Sequence, residues 1–246
     1  ANGTADTSPV RVGPPMVDYG TGAQAALAIS AALYQRDRTG KGQIIDVSML
    51  DSAYMLMAAH VVDTLVSGEA PAAHGNAHPH YSGYATYPTA DGLLMIGAYT
   101  TEQMAAMMEV LGEADRANEL RHTARADIKA SRQADAERIT ARLATETAAE
   151  WETRFNAADV PAARVRDIAE SIAEAQTRAR TGLQAQPALA AAGGPDRLPI
   201  AGFAYAHGSP RVDLPPPRFG EHADAILGEL GLSAPEINDL RQKRVI

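Results

Sequence analysis

The first part of the chain alternates between a helical pattern, a short extended pattern and a second helical pattern. Apolar side chains recur at helical spacing from Thr21 to about Asp37, and Thr21 followed by Gln24 has the spacing of a capping box. Residues 43–49 then alternate like a strand, and residues 50–65 are apolar on nearly every side, as in a buried helix. This helix–strand–helix succession predicts an α/β fold.

A polar loop, residues 67–80, separates this part from a segment with a different pattern. Residues 84–87 and 93–97 predict two strands, and the turn between them contains Asp91-Gly92, a hairpin signal. Further predicted elements are helices over 102–111, 133–146, 148–157 and 166–180, strands over 160–165 and 198–204, and short helices near 221–230 and 234–242. Gly231 is placed to end the helix near 221–230.

Composition excludes several classes of protein. None of the 246 residues is cysteine, so disulfides, thiolate metal sites and cysteine nucleophiles are excluded, and a cytoplasmic location is predicted. The net charge of −8 and the lack of a basic stripe argue against nucleic acid as a partner. No apolar stretch approaches the roughly 20 residues of a membrane-crossing helix, and no signal peptide is recognised, so no membrane partner is predicted.

Asp18 precedes the predicted helix and is followed by Gly20 and Gly22. The dipole and the free N–H groups of a helix N-terminus stabilise an anion, and glycines allow a bulky ligand to approach a carboxylate closely. An exposed carboxylate in this position could attack an acyl carbon. A turn or near-cap residue without a catalytic role has the same spacing, so both interpretations stay open at this point.

The histidines of the polar loop, His74, His78 and His80, raise the question of a metal site. No carboxylate or further histidine stands at ligand spacing beside them, so we predict a solvated loop and no metal. Gly75 and Gly83 favour a mobile loop, a feature that active-site lids use. The methionines at 55, 57, 104, 107 and 108 have helical spacing and are predicted to fill the core.

Several short motifs follow one another along the chain. They are Asp18-Tyr19-Gly20-Thr21-Gly22, the alanine-rich run that ends at Arg36, residues 39–51, Gly75-Asn76, residues 87–92, Trp151 with Val160-Pro161-Ala162, and residues 220–231. Together they resemble the class III coenzyme A (CoA) transferases, the CaiB/BaiF family that includes formyl-CoA transferase and the α-methylacyl-CoA racemases. The resemblance runs from about residue 9 to the end.

The resemblance implies transfer of CoA between carboxylic acids. In the transferases the aspartate that matches Asp18 attacks an acyl-CoA thioester and then carries CoA as an aspartyl-CoA thioester. Tyr19 and Gly20 would belong to the same site. The loop with Gly75, Asn76 and Gly83 matches one that shields these intermediates from water, although it lacks a run of glycines. CoA and acyl-CoA are then substrates, with no tightly bound cofactor.

The family fold implies a Rossmann-like large domain built from both ends of the chain, a smaller α+β domain, and two interlocked subunits. Residues 1–68 would belong to the large domain, residues 69–165 would form the small domain, and residues 166–246 would be a connector and a return to the large domain. The N-terminal portion that carries most of the family's CoA contacts has no counterpart here. We therefore expect a homodimer or an assembly with a chain that carries that portion.

Two alternatives remain open. The racemases use the same aspartate as an acid/base group, together with a histidine of the N-terminal portion and a glutamate after the strand that matches residues 93–97. Alignment on Gln103 puts Thr101 at the glutamate position and Glu102 one residue late, which favours the transferase. The second alternative is a non-catalytic subunit whose CoA pocket belongs to a partner chain.

Overall fold

The computed structural model describes residues 2–4, 6–7, 9–180, 182–214 and 216–246. The chain divides into two compact units, one that ends at Val165 and one that runs from Arg166 to Ile246. The assignment of residues 1–68, 69–165 and 166–246 to large and small domains stays a prediction. Parts of the first and third of these ranges lie outside the described residues.

The first unit opens with three helices, α1 (Met16–Thr39), α2 (Met49–Leu56) and α3 (Ala58–Ser67). The predicted start of α1 at Thr21 was wrong, because the helix already begins behind Pro15, whose ring restricts the backbone at the helix start. Thr21 therefore lies inside the helix, and its Oγ1 donates to the Val17 carbonyl at 2.7 Å instead of capping. Gly40, with φ 70°, ends α1.

The predicted strand over residues 43–49 is not formed. Residues 41–48 belong to no helix or sheet, and Ile44 is 97 % exposed. A strand requires a neighbour for its N–H and C=O groups, and no described residue supplies one to this segment. The described residues show a mixed fold of helices with antiparallel sheets, so a parallel α/β arrangement of this part is not observed.

Residues 50–65 are mostly helical as predicted, but the predicted single buried helix was wrong. It is broken at Met57 into α2 and α3, which are bent by 81°. Its large apolar side chains are mostly exposed, among them Met49, Leu50, Tyr54, Met55, Leu56, Met57, Val62, Leu65 and Val66. The all-round apolar pattern predicted burial, but no described element covers these side chains.

No single helix in the described ranges is long and apolar enough to cross a membrane. The bent pair of α2 and α3 reaches the necessary length and apolar composition only when the two helices are taken together.

A three-stranded antiparallel sheet lies at the centre of the first unit. Its strands are β1 (Tyr84–Pro88), β2 (Leu93–Gly97) and β3 (Ala162–Arg164), in the order β1-β2-β3. The predicted hairpin is confirmed, and the Thr89 N–H donates to the Gly92 carbonyl at 2.8 Å in its turn. The strand predicted over residues 160–165 is confirmed as β3, which pairs with β2 through Leu94 and Arg164.

Four helices pack around this sheet. They are α4 (Thr101–Val110), α5 (Ala114–His122), α6 (Ile128–Leu143) and α7 (Ala148–Ala157). The core consists of their inner faces and of β1 and β2, and its fully buried side chains include Leu94, Ile96, Met104, Met107, Met108, Leu120, Ile139, Leu143 and Phe155. The core role of Met104, Met107 and Met108 is thus confirmed, whereas Met55 and Met57 are exposed.

Local signals and one buried ion pair explain the helix positions. Capping boxes at Thr100 and Thr147 begin α4 and α7.

Helix α5 has a strongly polar sequence without a clear apolar stripe, so the sequence did not predict it. It is joined to α6 by Arg116, whose Nε donates to Oδ1 of the buried Asp135 at 2.7 Å. The hydrogen bond with Asp135 raises the pKa of Arg116, so its guanidinium stays charged.

The second unit is made of short elements. These are α8 (Ile168–Ala173), α9 (Ala175–Ala179), β4 (Leu183–Ala185), α10 (Pro187–Ala191), β5 (Arg197–Pro199), α11 (Ala223–Glu229) and α12 (Ala234–Gln242). Strands β4 and β5 form an antiparallel pair, and β5 is shorter than predicted. Gly231, with φ 92°, follows α11 as predicted. Few large apolar side chains of this unit are buried; Ile237 is one.

The two adjacent leucines of β2 provide a matched test of the core. Leu94 is 0 % exposed and Leu93 is 42 % exposed. Leu94→Ala should lower the free energy of unfolding by about 3 kcal/mol, because it removes buried methyl groups and leaves a cavity. Leu93→Ala should cost about 1 kcal/mol or less. Urea unfolding of both variants measures the difference, and equal losses would contradict the described core.

Candidate functional site

Asp18 lies in the first turn of α1. The prediction that it lies ahead of the helix was therefore wrong. Its side chain is exposed, and no described residue donates a hydrogen bond or an ion pair to its oxygens. The helix has no side-chain cap, so the N–H groups and the dipole of its first turn act on this carboxylate. A first-turn acid also stabilises a helix without any catalytic role, so this geometry is compatible with both interpretations.

The residues beside Asp18 differ in what surrounds them. Tyr19 is 71 % exposed and projects a large ring from the same turn. A Cβ atom on Gly20 would lie 2.8 Å from Cδ1 of Leu56, so Gly20 lets α2 pack closely on α1. A Cβ atom on Gly22 would meet nothing within 4 Å. Gly20 therefore has a packing reason of its own, and Gly22 leaves the open space that a ligand would use.

The glycine-bearing loop is tied to strand β1. The Gly75 N–H donates to the Gly3 carbonyl at 2.6 Å, and Gly75 adopts φ 59°, which favours glycine. The Asn76 carbonyl accepts from the Thr86 N–H at 2.9 Å. Gly83 is buried, and a Cβ atom there would lie 2.6 Å from the Ala98 carbonyl oxygen. These contacts fix both ends of the loop and leave Gly75 and Asn76 exposed.

A group of aromatic and cationic side chains surrounds this loop; some belong to the loop and others contact it from elsewhere in the chain. The ring of His78 stacks on Tyr81, with centroids 4.9 Å apart. Tyr81 meets Tyr99 edge to face at 5.2 Å. Arg125 donates from Nε to the Tyr81 hydroxyl at 3.0 Å, and Arg132 donates from Nε to the His78 carbonyl at 3.0 Å. We call His78, Tyr81, Tyr99, Arg125 and Arg132 the aromatic–arginine cluster.

The electrostatics of this cluster are cationic. Burial lowers the pKa of His78, and the nearby His80, Arg132, His74 and Arg125 lower it further, so the ring is neutral near pH 7. The His78 Nδ1 accepts the His80 N–H at 3.1 Å, which leaves the ring proton on Nε2 as a donor. Each of the charged groups that affect His78 is a cation or a histidine.

The structure brings some of the predicted residues together and leaves others apart. Gly75, Asn76 and Gly83 share one anchored loop, and Asp18, Tyr19 and Gly20 share one helical turn. No hydrogen bond or ion pair among the described residues joins the turn to the loop. Sequence analysis missed Tyr81, Tyr99 and Arg125, because the three are far apart in the chain and carry no common motif.

The described residues contain no group of three His, Asp or Glu side chains arranged to hold a metal ion. The second unit has a separate open cavity of about 680 Å³, whose lining includes Arg178, Arg180 and Arg211. None of the site residues predicted from the sequence lines it.

Comparison with known proteins identifies the family of the chain. The family described as CoA-transferase family III matches residues 1–223, which include Asp18 and the glycine-bearing loop. The chain therefore belongs to CoA-transferase family III.

Individual relatives agree with this assignment. A succinate–glutarate CoA-transferase of Agrobacterium fabrum is 32 % identical over 93 % of this chain and 56 % of its own length. A succinyl-CoA:mesaconate CoA-transferase of Haloarcula marismortui is 31 % identical over 94 % of this chain and 57 % of its own length. A crystal structure of a CaiB/BaiF family protein from Brucella suis matches with a TM-score of 0.74 and 28 % identity, over 93 % of this chain and 59 % of that one. The chain thus spans about half the length of the relatives it matches.

Two glycines of the first unit test how tightly the loop is packed. Gly83→Ala should destabilise the loop by about 1–3 kcal/mol, because the new Cβ would clash with the Ala98 backbone. Gly92→Ala places its Cβ in open space and should change the stability by less than about 1 kcal/mol. Thermal unfolding and amide exchange of residues 75–83 measure both. Unchanged exchange in Gly83→Ala would show that this close approach does not hold the loop.

Proposed function

We propose that the protein transfers CoA between carboxylic acids and that Asp18 carries the CoA. The observation on which this rests is that Asp18 stands exposed in an uncapped first helical turn within the part of the chain that matches CoA-transferase family III. The names of the relatives support CoA transfer as the reaction class.

The proposed chemistry uses the carboxylate of Asp18 as a nucleophile. It attacks the carbonyl carbon of the acyl-CoA thioester, the C–S bond breaks, and CoA leaves as a thiolate beside a mixed anhydride. The thiolate then attacks the Asp18 carbonyl of that anhydride, which releases the donor acid as a carboxylate and leaves an aspartyl-CoA thioester. The acceptor carboxylate then attacks the aspartyl-CoA thioester and expels the thiolate, which leaves a second mixed anhydride. The thiolate attacks the acceptor carbonyl of that anhydride, so the acceptor leaves as its CoA thioester and the Asp18 carboxylate is regenerated.

Local structure supports the first of these steps. The first-turn N–H groups and the dipole of α1 favour negative charge at its N-terminus, where oxyanion character develops during attack. Gly22 leaves open space close to Asp18, and Gly75 and Asn76 are exposed on the anchored loop. In this proposal Tyr19 and Gly20 shape the acyl side of the site, and the loop excludes water from the reactive anhydride.

We further propose that the acid is dicarboxylic. Succinate, glutarate and mesaconate, the acids in the names of the two relatives, all have two carboxylates. The same proposal includes a Rossmann-like large domain, a paired subunit or chain, and CoA as a substrate. The exposed apolar faces of α1, α2 and α3 support a partner for this part, since apolar surface of this extent favours association.

Replacement of the nucleophile is the direct test. Asp18→Asn should lower kcat for CoA transfer by at least about a thousandfold, because the amide cannot form the anhydride. Asp37→Asn, an exposed carboxylate of the same helix with an Arg36 partner, should leave kcat within about twofold. Both are measured in the form of the protein that transfers CoA.

Trapping completes this test. After incubation with acyl-CoA, hydroxylamine or borohydride should modify Asp18, as peptide mass spectrometry would show. Full activity of Asp18→Asn would mean that the catalytic residue lies in a partner chain, as for a non-catalytic subunit.

Isotope exchange separates the transferase from a racemase. A transferase should exchange labelled acid into acyl-CoA without bringing solvent deuterium to the α-carbon. A racemase should incorporate deuterium without exchanging acids, because it removes the α-proton. Alignment on Gln103 puts Thr101 at the position of the racemase glutamate and Glu102 one residue late, which favours the first result. Deuterium entry without acid exchange would contradict the proposal.

A further inference from the structure

Arg125 is held against two tyrosine rings without a carboxylate partner. Its guanidinium carbon lies 4.5 Å from the centroid of the Tyr99 ring and 5.2 Å from that of Tyr81. Its Nε donates to the Tyr81 hydroxyl. Asp127 follows closely in the chain, but no carboxylate of the described residues forms an ion pair with Arg125. The charge of Arg125 is therefore positioned but not neutralised.

Most of the other arginines of the first unit have a carboxylate partner, whereas Arg11 and Arg38 form no ion pair within the described residues. Arginines with a carboxylate partner in the described residues include Arg36, Arg116, Arg121, Arg138, Arg142 and Arg154. Arg125 and Arg132 have none, although the net charge of the chain is −8. Both belong to the aromatic–arginine cluster and contact the loop that carries Gly75 and Asn76, Arg125 from the segment between α5 and α6 and Arg132 from α6. Two guanidinium groups that contact the same loop without a carboxylate partner favour an anion from outside the chain.

We propose that the aromatic–arginine cluster binds a carboxylate of the acid substrate, the one that does not react. This inference rests on the proposed function. A planar guanidinium offers parallel N–H donors that match the two oxygens of a carboxylate. The two ring contacts and the hydrogen bond from Nε to the Tyr81 hydroxyl restrict Arg125 before the ligand arrives, which lowers the entropy cost of binding. His78 adds a neutral donor at Nε2, and Arg132 adds a second positive charge.

The cluster would then set specificity. A dicarboxylic acid keeps one negative charge after its other carboxylate has entered the thioester, and that charge requires a cation. A monocarboxylic acid of the same length would leave Arg125 without an anion. The cluster therefore distinguishes glutarate from pentanoate, which have the same number of carbon atoms but differ in one carboxylate.

Steady-state kinetics with two matched arginine variants test the inference. Arg125→Gln should raise KM for glutarate about 10- to 100-fold, the effect of losing a hydrogen-bonded charge, and should leave KM for the acyl-CoA unchanged when its acyl group is monocarboxylic. The KM of Arg125→Lys for glutarate should lie between that of the unmodified protein and that of Arg125→Gln, since lysine keeps the charge but loses the planar donors. The control is Arg121→Gln, an exposed arginine already paired with Glu109 at 2.7 Å, which should change neither KM.

A binding measurement gives a readout that needs no catalysis. In the unmodified protein, the NMR resonance of the Arg125 Nε–H should shift on titration with glutarate and should stay in place with pentanoate. Circular dichroism of the two Arg125 variants shows whether they fold. If Arg125→Gln does not fold, Arg125→Lys still tests the inference.

Three outcomes would overturn the inference. A raised KM for acyl-CoA, without a change for glutarate, would assign the cluster to the phosphates of CoA. No change in either KM would make Arg125 a structural residue. An equal response to glutarate and pentanoate would remove the specificity role. If the unmodified protein transfers no CoA, the proposed function fails, and the NMR titration alone decides whether the cluster binds a carboxylate.

Discussion

Strand β2 is the element on which the first unit depends. It hydrogen-bonds to β1 on one side and to β3 on the other, and its inward side chains, Leu94 and Ile96, are fully buried under the surrounding helices. The strand also positions the loop, because the residue that follows it, Ala98, donates to the Gly83 carbonyl at 2.9 Å. The Tyr87 hydroxyl on β1 donates a hydrogen bond to the Ser82 carbonyl at 2.6 Å. Burial raises the pKa of Tyr87 to about 12, so the hydroxyl keeps its proton and stays a donor.

The consequence for function is that the aromatic–arginine cluster stands on a rigid support. His78 is fixed through its N–H to the Tyr84 carbonyl at 3.0 Å, and Tyr99 follows directly on the buried Ala98. Arg125 reaches this loop from the segment between α5 and α6. The backbone of the cluster is held by the sheet and its side chains contact one another, so its geometry is preorganised.

The helices α1, α2 and α3 show the opposite situation. Their apolar side chains are mostly exposed, and Gly20 provides the one glycine approach between α1 and α2 that the described residues show. Asp18 therefore stands on a helix whose own packing partners are few. In the proposed function this surface meets a further part of the assembly, and the site around Asp18 is completed there.

The sequence by itself indicated the hairpin, the helices α4 and α7, and the candidate Asp18. Each of these depends on a signal within a short segment: the Asp91-Gly92 turn, the helical patterns of residues 102–111 and 148–157, and one compact motif. Family membership also followed from the order of such motifs. Tertiary structure decided the rest. Residues 43–49 have strand periodicity but no partner for their hydrogen bonds, so periodicity alone could not make them a strand. Tyr81, Tyr99 and Arg125 are joined only by contacts across the fold, since no local pattern records which distant side chains a sheet and four helices bring together.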